Sequence, residues 1–343
     1  MPFVLCYLPF YLMKLLKIII LLVILVSFGF FIRATDMSKV MSSVQQVGFR
    51  FVWLIATTFL GYLFGTVGWK YCMGPQGAHL RLKDLFFIRH IGETVSLINP
   101  TSVIGGEAMK VFLLQDKGVD RKTLITSVLI SRVIMALTQV LLFLLAAAFL
   151  WLQNDGFAPQ VSWMTVGLYA LLAFLTVALF VLKPKRMFRK LALRTRFGVY
   201  LKKRTEILRM RAKQMLRDLS LYFKNNKKAL ALSLLFFILH WFFGAMEFYL
   251  ILTFLGIDVS IAQAILVDMG VVFFKVAGAF VPGQIGVEEY GNKVMLAAIG
   301  VAGAEIWITA SILRRTRQIF WIVFGLLVYL FMYKKWGTKP PAS

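Results

Sequence analysis

The sequence predicts an all-α polytopic membrane protein with about six full transmembrane helices and two re-entrant broken-helix hairpins in an inverted repeat. Of its 343 residues, 60% are hydrophobic, compared with roughly 45–50% in a soluble domain. Several segments with almost no charge approach or exceed the roughly 20 residues that a helix needs to cross a bilayer. Two other apolar segments contain ionisable residues and are interrupted by a proline. A water-soluble protein is therefore excluded.

Six apolar segments are predicted to span the membrane. They cover residues 18–32, 51–69, 124–152, 161–182, 229–255 and 319–333. The first segment follows two lysines, like a signal peptide, but no small-residue cleavage site follows it before Arg33. We therefore interpret it as an uncleaved span, and the whole chain, residues 1–343, as one membrane domain.

The positive charge is concentrated in one loop. Residues 183–228 contain 17 Lys or Arg and only two acids, and loops of this kind stay in the cytoplasm. Counting spans outwards from this loop puts both termini in the cytoplasm. Because the loop lies beside apolar spans, we interpret its charge as attraction to anionic lipid headgroups. Nucleic acid is not an expected partner, despite the net charge of +24.

Two apolar regions, residues 82–132 and 261–315, do not fit as simple spans. Their helical patterns break at Asn99-Pro100 and at Pro282-Gly283. A proline removes a backbone donor, and the carbonyl left without a partner cannot be satisfied by lipid. Such breaks persist only where protein or water surrounds them. Each region is therefore predicted to be a re-entrant hairpin followed by a span.

The two regions share a spacing and form an internal repeat. The series is Pro100, Glu107 and Arg132 in the first region and Pro282, Glu289 and Arg314 in the second, separated each time by seven and then 25 residues. Similar flanking segments support a register that is one residue longer and pairs Arg132 with Arg315, so both pairings stay open. Three spans separate the copies, which makes them inverted, as in many secondary transporters.

Ionisable side chains at membrane depth cost about 2.5–3.5 kcal/mol each on insertion scales, so they are candidates for function. Helix starts and the planar guanidinium group of arginine both suit a phosphate. The expected lipid-binding residues are Glu107, Arg132, Glu288, Glu289, Arg314 and Arg315, with Asn99, Pro100, Pro282, Gly283 and Gly286 at the breaks. We expect the acids to pair with the arginines or to bind a cationic headgroup. Alternatively, these pairs only hold helices together.

A second set of ionisable residues is a candidate proton relay. It consists of His240, Glu247, Asp268 and Lys275. Seven residues separate the two members on the fifth span and the two in the second hairpin, so each pair lies on one helix face. The alternative for His240 is a buried packing role.

Three ionisable residues of the first hairpin, Arg89, His90 and Glu93, are expected near the inner membrane surface, reaching headgroups. The sequence contains neither a Gly-rich phosphate-binding loop with its lysine nor a spacing typical of metal ligands. We therefore expect no cofactor, no metal and no ATP hydrolysis.

At these same residues the chain resembles the flippase-like transmembrane family found in lysylphosphatidylglycerol synthases and in stand-alone relatives. The resemblance rests on Asn99-Pro100 leading to Gly106-Glu107, on Ser131-Arg132, and on the segment Pro282-Gly283-Gln284-Ile285-Gly286-Val287-Glu288-Glu289. Two departures are Thr101, where the family usually has glycine, and Ser131 and Met135, where acids often flank the arginine. The resemblance implies translocation of a membrane lipid across the cytoplasmic (inner) membrane of a bacterium or archaeon.

Three classes of function follow from these observations. The favoured class is a flippase-like secondary transporter of a polar, phosphate-bearing lipid. The second is an intramembrane lipid-modifying transferase with Glu107 or Glu289 as general base. The third is a membrane subunit that assists an aminoacyl- or glycosyltransferase through the basic loop. We do not expect lysyl transfer, because the soluble synthase domain of the full-length enzymes has no counterpart in this sequence.

Overall fold

The computed structural model describes residues 47–98, 102–115, 117–153, 226–278, 286–301 and 303–337, with isolated residues between them. This part of the chain forms eight α-helices and contains no strand. The helices are α1 (Phe51–Cys72), α2 (Leu82–Ile98), α3 (Ser102–Leu114), α4 (Arg121–Leu152), α5 (Lys227–Phe254), α6 (Ile261–Ala277), α7 (Val287–Ala298) and α8 (Ala304–Gly337). The predicted spans at 18–32 and 161–182, and most of the basic loop, lie outside the described residues.

Four of the helices, α1, α4, α5 and α8, are long and apolar enough to cross a membrane. Along α4, exposed leucines recur every three or four residues, at Leu137, Leu141 and Leu144 or Leu145. This is the helical period, so they form one apolar stripe facing away from the other helices. The protein is therefore a multi-pass α-helical membrane protein.

The other four helices form two antiparallel pairs at the predicted breaks. The first helix of one pair ends at Ile98 and its partner begins at Ser102, whereas the other pair is interrupted between Ala277 and Val287. Within each pair the two helices pack along each other. The break residues Asn99, Pro100, Pro282 and Gly283 lie outside the described residues. That the hairpins re-enter the membrane as inverted copies stays a prediction.

The second hairpin resumes its helix at Gly286. Its φ of +82° lies in the left-handed region, which glycine adopts without steric cost. The backbone N–H of Gly286 donates to Glu289 Oε2 at 2.8 Å, so the acid caps the start of α7. We expected free amides here for a phosphate, and the structure shows that this one is already occupied by the protein's own carboxylate.

The first hairpin is held together by direct backbone approach. A Cβ atom at Gly106 of α3 would lie 1.9 Å from Ser96 Oγ and 2.2 Å from the carbonyl oxygen of Gly92 on α2. Real Cβ atoms do not approach other atoms so closely. Glycine at this position therefore sets the distance between α2 and α3.

Replacing Gly106 by alanine is expected to lower the unfolding temperature of the protein in detergent, because the added methyl group forces α2 and α3 apart. Overpacking of this kind costs roughly 1–3 kcal/mol. Gly244→Ala is the matched control, since its Cβ would meet an Asp268 oxygen at an ordinary 3.5 Å. Equal unfolding temperatures for the two variants would contradict this account of the hairpin.

Candidate functional site

Arg132 of α4 is bound by an acid of the first hairpin. Its Nε donates to Glu107 Oε1 at 2.6 Å, and its Nη2 contacts the same oxygen. Lys110, three residues after Glu107 on α3, donates to this oxygen as well, at 2.9 Å. These contacts attach the second arm of the hairpin to α4.

One carboxylate oxygen of Glu93, on α2, is contacted by three cations. Its Oε1 lies 3.3 Å from Lys110 Nζ, 3.6 Å from Arg132 Nη2 and 3.8 Å from Arg89 Nε. In the described part of the chain, these three cations form ion pairs with only two carboxylates, those of Glu93 and Glu107. This group, the first-hairpin cluster, therefore has one positive charge without a matching acid.

Arg89 lies inside the protein, where α2 packs against α1 and α8. Its Nη1 donates to the carbonyl oxygen of Tyr62 at 3.1 Å and takes the space beside Gly65, where a Cβ would lie 1.9 Å away. Arg89 is 4% exposed and His90 3%. The expectation that these two side chains reach lipid headgroups is wrong, because their face of α2 points into the helix bundle.

Arg314 of α8 is surrounded by carboxylates from three other helices. Its Nη1 lies 2.8 Å from Asp268 Oδ1 and 3.9 Å from Glu247 Oε2, and its Nε lies 3.2 Å from Glu288 Oε1. The side chain is buried, with the guanidinium 4.1 Å from the centre of the Phe248 ring. Arg314 therefore connects α5, α6, α7 and α8.

Two more cations share these carboxylates. Arg317, one turn after Arg314, donates from Nε to Glu247 Oε1 at 2.6 Å. Lys275 of α6 lies 3.3 Å from Glu288 Oε2. Because Glu247 and Glu288 each contact two cations, the group behaves as one network rather than as separate pairs.

Arg315 repeats the geometry of Arg132. Its Nε and Nη2 both contact Glu289 Oε1, just as Nε and Nη2 of Arg132 both contact Glu107 Oε1. Of the two pairings that the sequence left open, these contacts support Arg132 with Arg315. Arg314 is then additional to the repeat.

A cavity of about 330 Å³ is lined by residues of both hairpins and of α1, α4, α5 and α8. Its charged lining comprises five cations, Arg89, Arg132, Lys275, Arg314 and Arg317, and three acids, Glu93, Glu247 and Asp268. Tyr62, Ser96, His240 and Trp241 also line it. Positive side chains therefore outnumber negative ones at its surface.

The predicted site residues fall into three groups. Six line the cavity: Arg132, His240, Glu247, Asp268, Lys275 and Arg314. Four others form ion pairs next to the cavity without lining it. Glu107 pairs with Arg132, and Glu288 pairs with Lys275 and Arg314. Glu289 and Arg315 pair with each other. Gly286 begins α7, and the four break residues lie outside the described part.

Several cavity residues were missed by the sequence analysis or assigned elsewhere. Arg89 and Glu93 were assigned to the membrane surface, and Arg317 and Ser96 were not considered. A signal for Arg317 was present, because it lies three residues after Arg314 in the same helix and so shares its face. Lys110 likewise lies three residues after Glu107 and so shares its helix face.

His240 has a backbone partner. Its Nδ1 lies 2.7 Å from the carbonyl oxygen of Gly61. A carbonyl oxygen only accepts, so Nδ1 carries the proton in this hydrogen bond. The contact favours the packing role, and a proton relay through His240 stays a prediction. Within the described residues, no group of three His, Cys, Asp or Glu side chains is placed to hold a metal ion.

Comparison with known proteins agrees with the motif-based resemblance. Residues 15–325, most of the chain, match the family described as lysylphosphatidylglycerol synthase TM region. No curated protein and no solved structure matches the chain. The protein belongs to the lysylphosphatidylglycerol synthase TM region family.

Proposed function

We propose that the protein is a flippase-like secondary transporter that moves a polar, phosphate-bearing lipid across the cytoplasmic membrane. The observation that carries this proposal is the cavity among membrane-crossing helices, with five cationic and three acidic side chains in its lining. Each such charge is costly at membrane depth. Membership of a membrane family tied to lipid modification or transport supports the same conclusion.

The size of the cavity fits a headgroup rather than a whole lipid. At about 330 Å³, it lies near the lower end of the roughly 300–1,000 Å³ of small-molecule sites. A glycerophosphate headgroup can enter such a space, whereas two acyl chains cannot. The headgroup therefore crosses through the protein while the acyl chains stay in the bilayer.

The ion pairs define the empty state of this transporter. A buried arginine without a partner is strongly unfavourable, so each arginine of the cavity is held by a carboxylate until an anion arrives. A phosphate accepts from a guanidinium group with the same two-oxygen geometry as a carboxylate. Arg132, whose side chain is 31% exposed, is the most accessible to an entering phosphate of the four arginines that line the cavity.

The repeated pairs provide two points of release. Arg132 with Glu107 attaches the first hairpin to α4, and Arg315 with Glu289 attaches the second hairpin to α8. Breaking one pair while the other persists would open the cavity past one hairpin at a time. This is the alternating access that a transporter needs.

The test is a lipid-flipping assay on protein reconstituted in liposomes with fluorescent lipids. Arg132→Ala and Glu289→Gln are each expected to lower the flipping rate at least tenfold at equal insertion. Arg81→Gln is the control, because Arg81 is exposed and pairs with Asp84 outside the cavity. Wild-type protein that moves no anionic, aminoacylated or polyprenyl lipid would contradict the proposal and favour a subunit assisting an aminoacyl- or glycosyltransferase.

A further inference from the structure

We infer that each hairpin turns as one rigid unit about a hinge on the span that follows the other hairpin, and opens by leaving the span that follows itself. The two hinges are the contact of α2 with α8 and the contact of α6 with α4. This inference rests on the proposed function, because it names the motion that would expose the cavity.

The two arms of each hairpin pack against different spans. The first hairpin is followed by α4 and the second by α8. The second arms, α3 and α7, pack against these following spans, whereas the first arms, α2 and α6, pack against the opposite ones, α8 and α4. The first arms also pack on α1 and α5, two helices that lie along each other. The first arms are therefore held by more of the protein than the second arms.

Ion pairs join each hairpin to the span that follows it. Acids of the first hairpin pair with Arg132 of α4, and acids of the second pair with Arg314 and Arg315 of α8. Water or a lipid headgroup can take the place of either partner in such contacts. These interfaces can therefore separate when the cavity fills.

Aromatic rings and a glycine join the first arm of the first hairpin to α8. A Cβ atom at Gly325 of α8 would overlap the hydroxyl oxygen of Thr94 on α2. The His90 ring of α2 lies 5.0 Å from the ring of Trp321 and 5.3 Å from that of Phe324, centre to centre. Close packing of this kind holds membrane helices together, and water offers nothing that replaces it.

The matching contact of the second hairpin is built in a similar way. The rings of Phe143 on α4 and Phe273 on α6 lie 5.9 Å apart, centre to centre. Two turns of α4 after Arg132, the side chain of Gln139 donates to the carbonyl oxygen of Met269 on α6 at 3.2 Å. Both residues are buried. The first arm of each hairpin is therefore attached where the second arm is not.

Glycines lock the two arms of each hairpin to each other. In the first hairpin, Gly106 leaves no room for a methyl group beside Gly92 and Ser96. In the second, a Cβ atom at Gly291 of α7 would lie 3.1 Å from the Cβ atom of Phe274 on α6. Interlocked arms move together, so a hairpin that leaves its following span turns about its first arm.

The crossed arrangement connects the two hairpins. Each of α4 and α8 holds one hairpin by ion pairs and carries the hinge of the other. A shift of either span therefore acts on both hairpins. This gives the two release points of the proposed transporter a mechanical connection.

The first experiment measures distances between spin labels by pulsed EPR on the full chain in nanodiscs, with Cys6→Ser and Cys72→Ser. All labels replace exposed side chains. One pair, at Tyr290 of α7 and Phe320 of α8, reports separation from the following span, and the other, at Val276 of α6 and Leu137 of α4, reports the hinge.

Glu289→Gln is expected to increase the population of longer distances between Tyr290 and Phe320 several-fold, because it weakens the ion pair with Arg315. The distances between Val276 and Leu137 are expected to stay unchanged. Arg81→Gln is the control and alters neither pair. Longer distances across the hinge, or unchanged ones between α7 and α8, overturn the inference.

The second experiment closes each interface with a disulfide and leaves the ion pairs in place. For the hinge, Thr94→Cys is combined with Gly325→Cys, since a Cβ atom at Gly325 would lie 3.2 Å from that of Thr94, close to the roughly 3.5–4.5 Å of disulfides. For the other interface, Asn292→Cys is combined with Ser311→Cys, where Nδ2 and Oγ lie 2.8 Å apart.

Each variant is compared with itself after reduction, so any effect of the substitutions on folding cancels. The disulfide between positions 94 and 325 is expected to leave the flipping rate within about twofold of the reduced protein. The disulfide between positions 292 and 311 is expected to lower it at least tenfold, and reductant restores it. Loss of flipping through the first disulfide, or full flipping with the second, overturns the inference.

The two proposals fail differently, because the EPR distances do not require that lipid moves. Protein whose label distances change as expected but that moves no lipid contradicts the transporter proposal and leaves the hinges standing. Protein that flips lipid but whose label distances lengthen at the hinge contradicts the hinges and leaves the transporter proposal standing.

Discussion

Replacing Arg314 by methionine is expected to destabilise the protein by roughly 3–5 kcal/mol, the effect typical of removing one partner from a buried ion-pair network. Three carboxylates, those of Glu247, Asp268 and Glu288, contact this guanidinium. The loss would be measured as a lower unfolding temperature of the purified protein in detergent. Arg81→Met removes an exposed arginine and serves as the control, with little change expected.

A second substitution tests the reason for this loss. Without Arg314, Glu247 keeps Arg317 and Glu288 keeps Lys275, whereas Asp268 loses the cation that it contacts in the described residues. Adding Asp268→Asn to Arg314→Met should therefore recover a large part of the stability. If the double variant is less stable than the single one, the uncompensated charge of Asp268 is not the cause.

Reversing the charge of Glu107 alone is expected to abolish lipid flipping and to prevent recovery of folded protein. Glu107→Arg would place four cations around Glu93, the one remaining acid of the first-hairpin cluster. The combined Glu107→Arg and Arg132→Glu variant restores the pair and should return folded protein. It should still flip lipid at least tenfold more slowly, because position 132 lines the cavity and position 107 does not.

This exchange separates the two roles of the pair. Folded yield is measured by size-exclusion chromatography, and transport by the flipping assay in liposomes at equal insertion. Wild-type flipping by the exchanged variant would show that Arg132 and Glu107 only hold α3 and α4 together, which is the alternative that the sequence analysis left open.

The breaks in the two hairpins could be predicted from local chemistry. Proline cannot donate to a helical hydrogen bond, and each predicted break falls where the structure ends one helix and begins the next. The charged residues around the breaks were recognised for a similarly local reason. A carboxylate or guanidinium group in an apolar segment needs a partner, whichever residue provides it.

The partners themselves could not be predicted, because they depend on how helices distant in sequence pack together. Arg89 lies inside because α1 has a glycine, Gly65, opposite its guanidinium group. The glycines Gly61, Gly65 and Gly68 follow one another at three- and four-residue spacing on α1. That small-residue pattern marks a face for close helix packing, and with it the burial of Arg89 would have been a reasonable prediction.

The position of the arginines on α8 has a consequence for biosynthesis. Three arginines on this helix are costly for a single helix entering the bilayer alone, at about 2.5–3.5 kcal/mol for each one near its centre. Their acidic partners, Glu247, Asp268, Glu288 and Glu289, all precede them in the chain. The acidic residues are therefore synthesised before the arginines. When α8 enters the membrane, helices that carry the matching carboxylates are already made, and their negative charges neutralise its arginines.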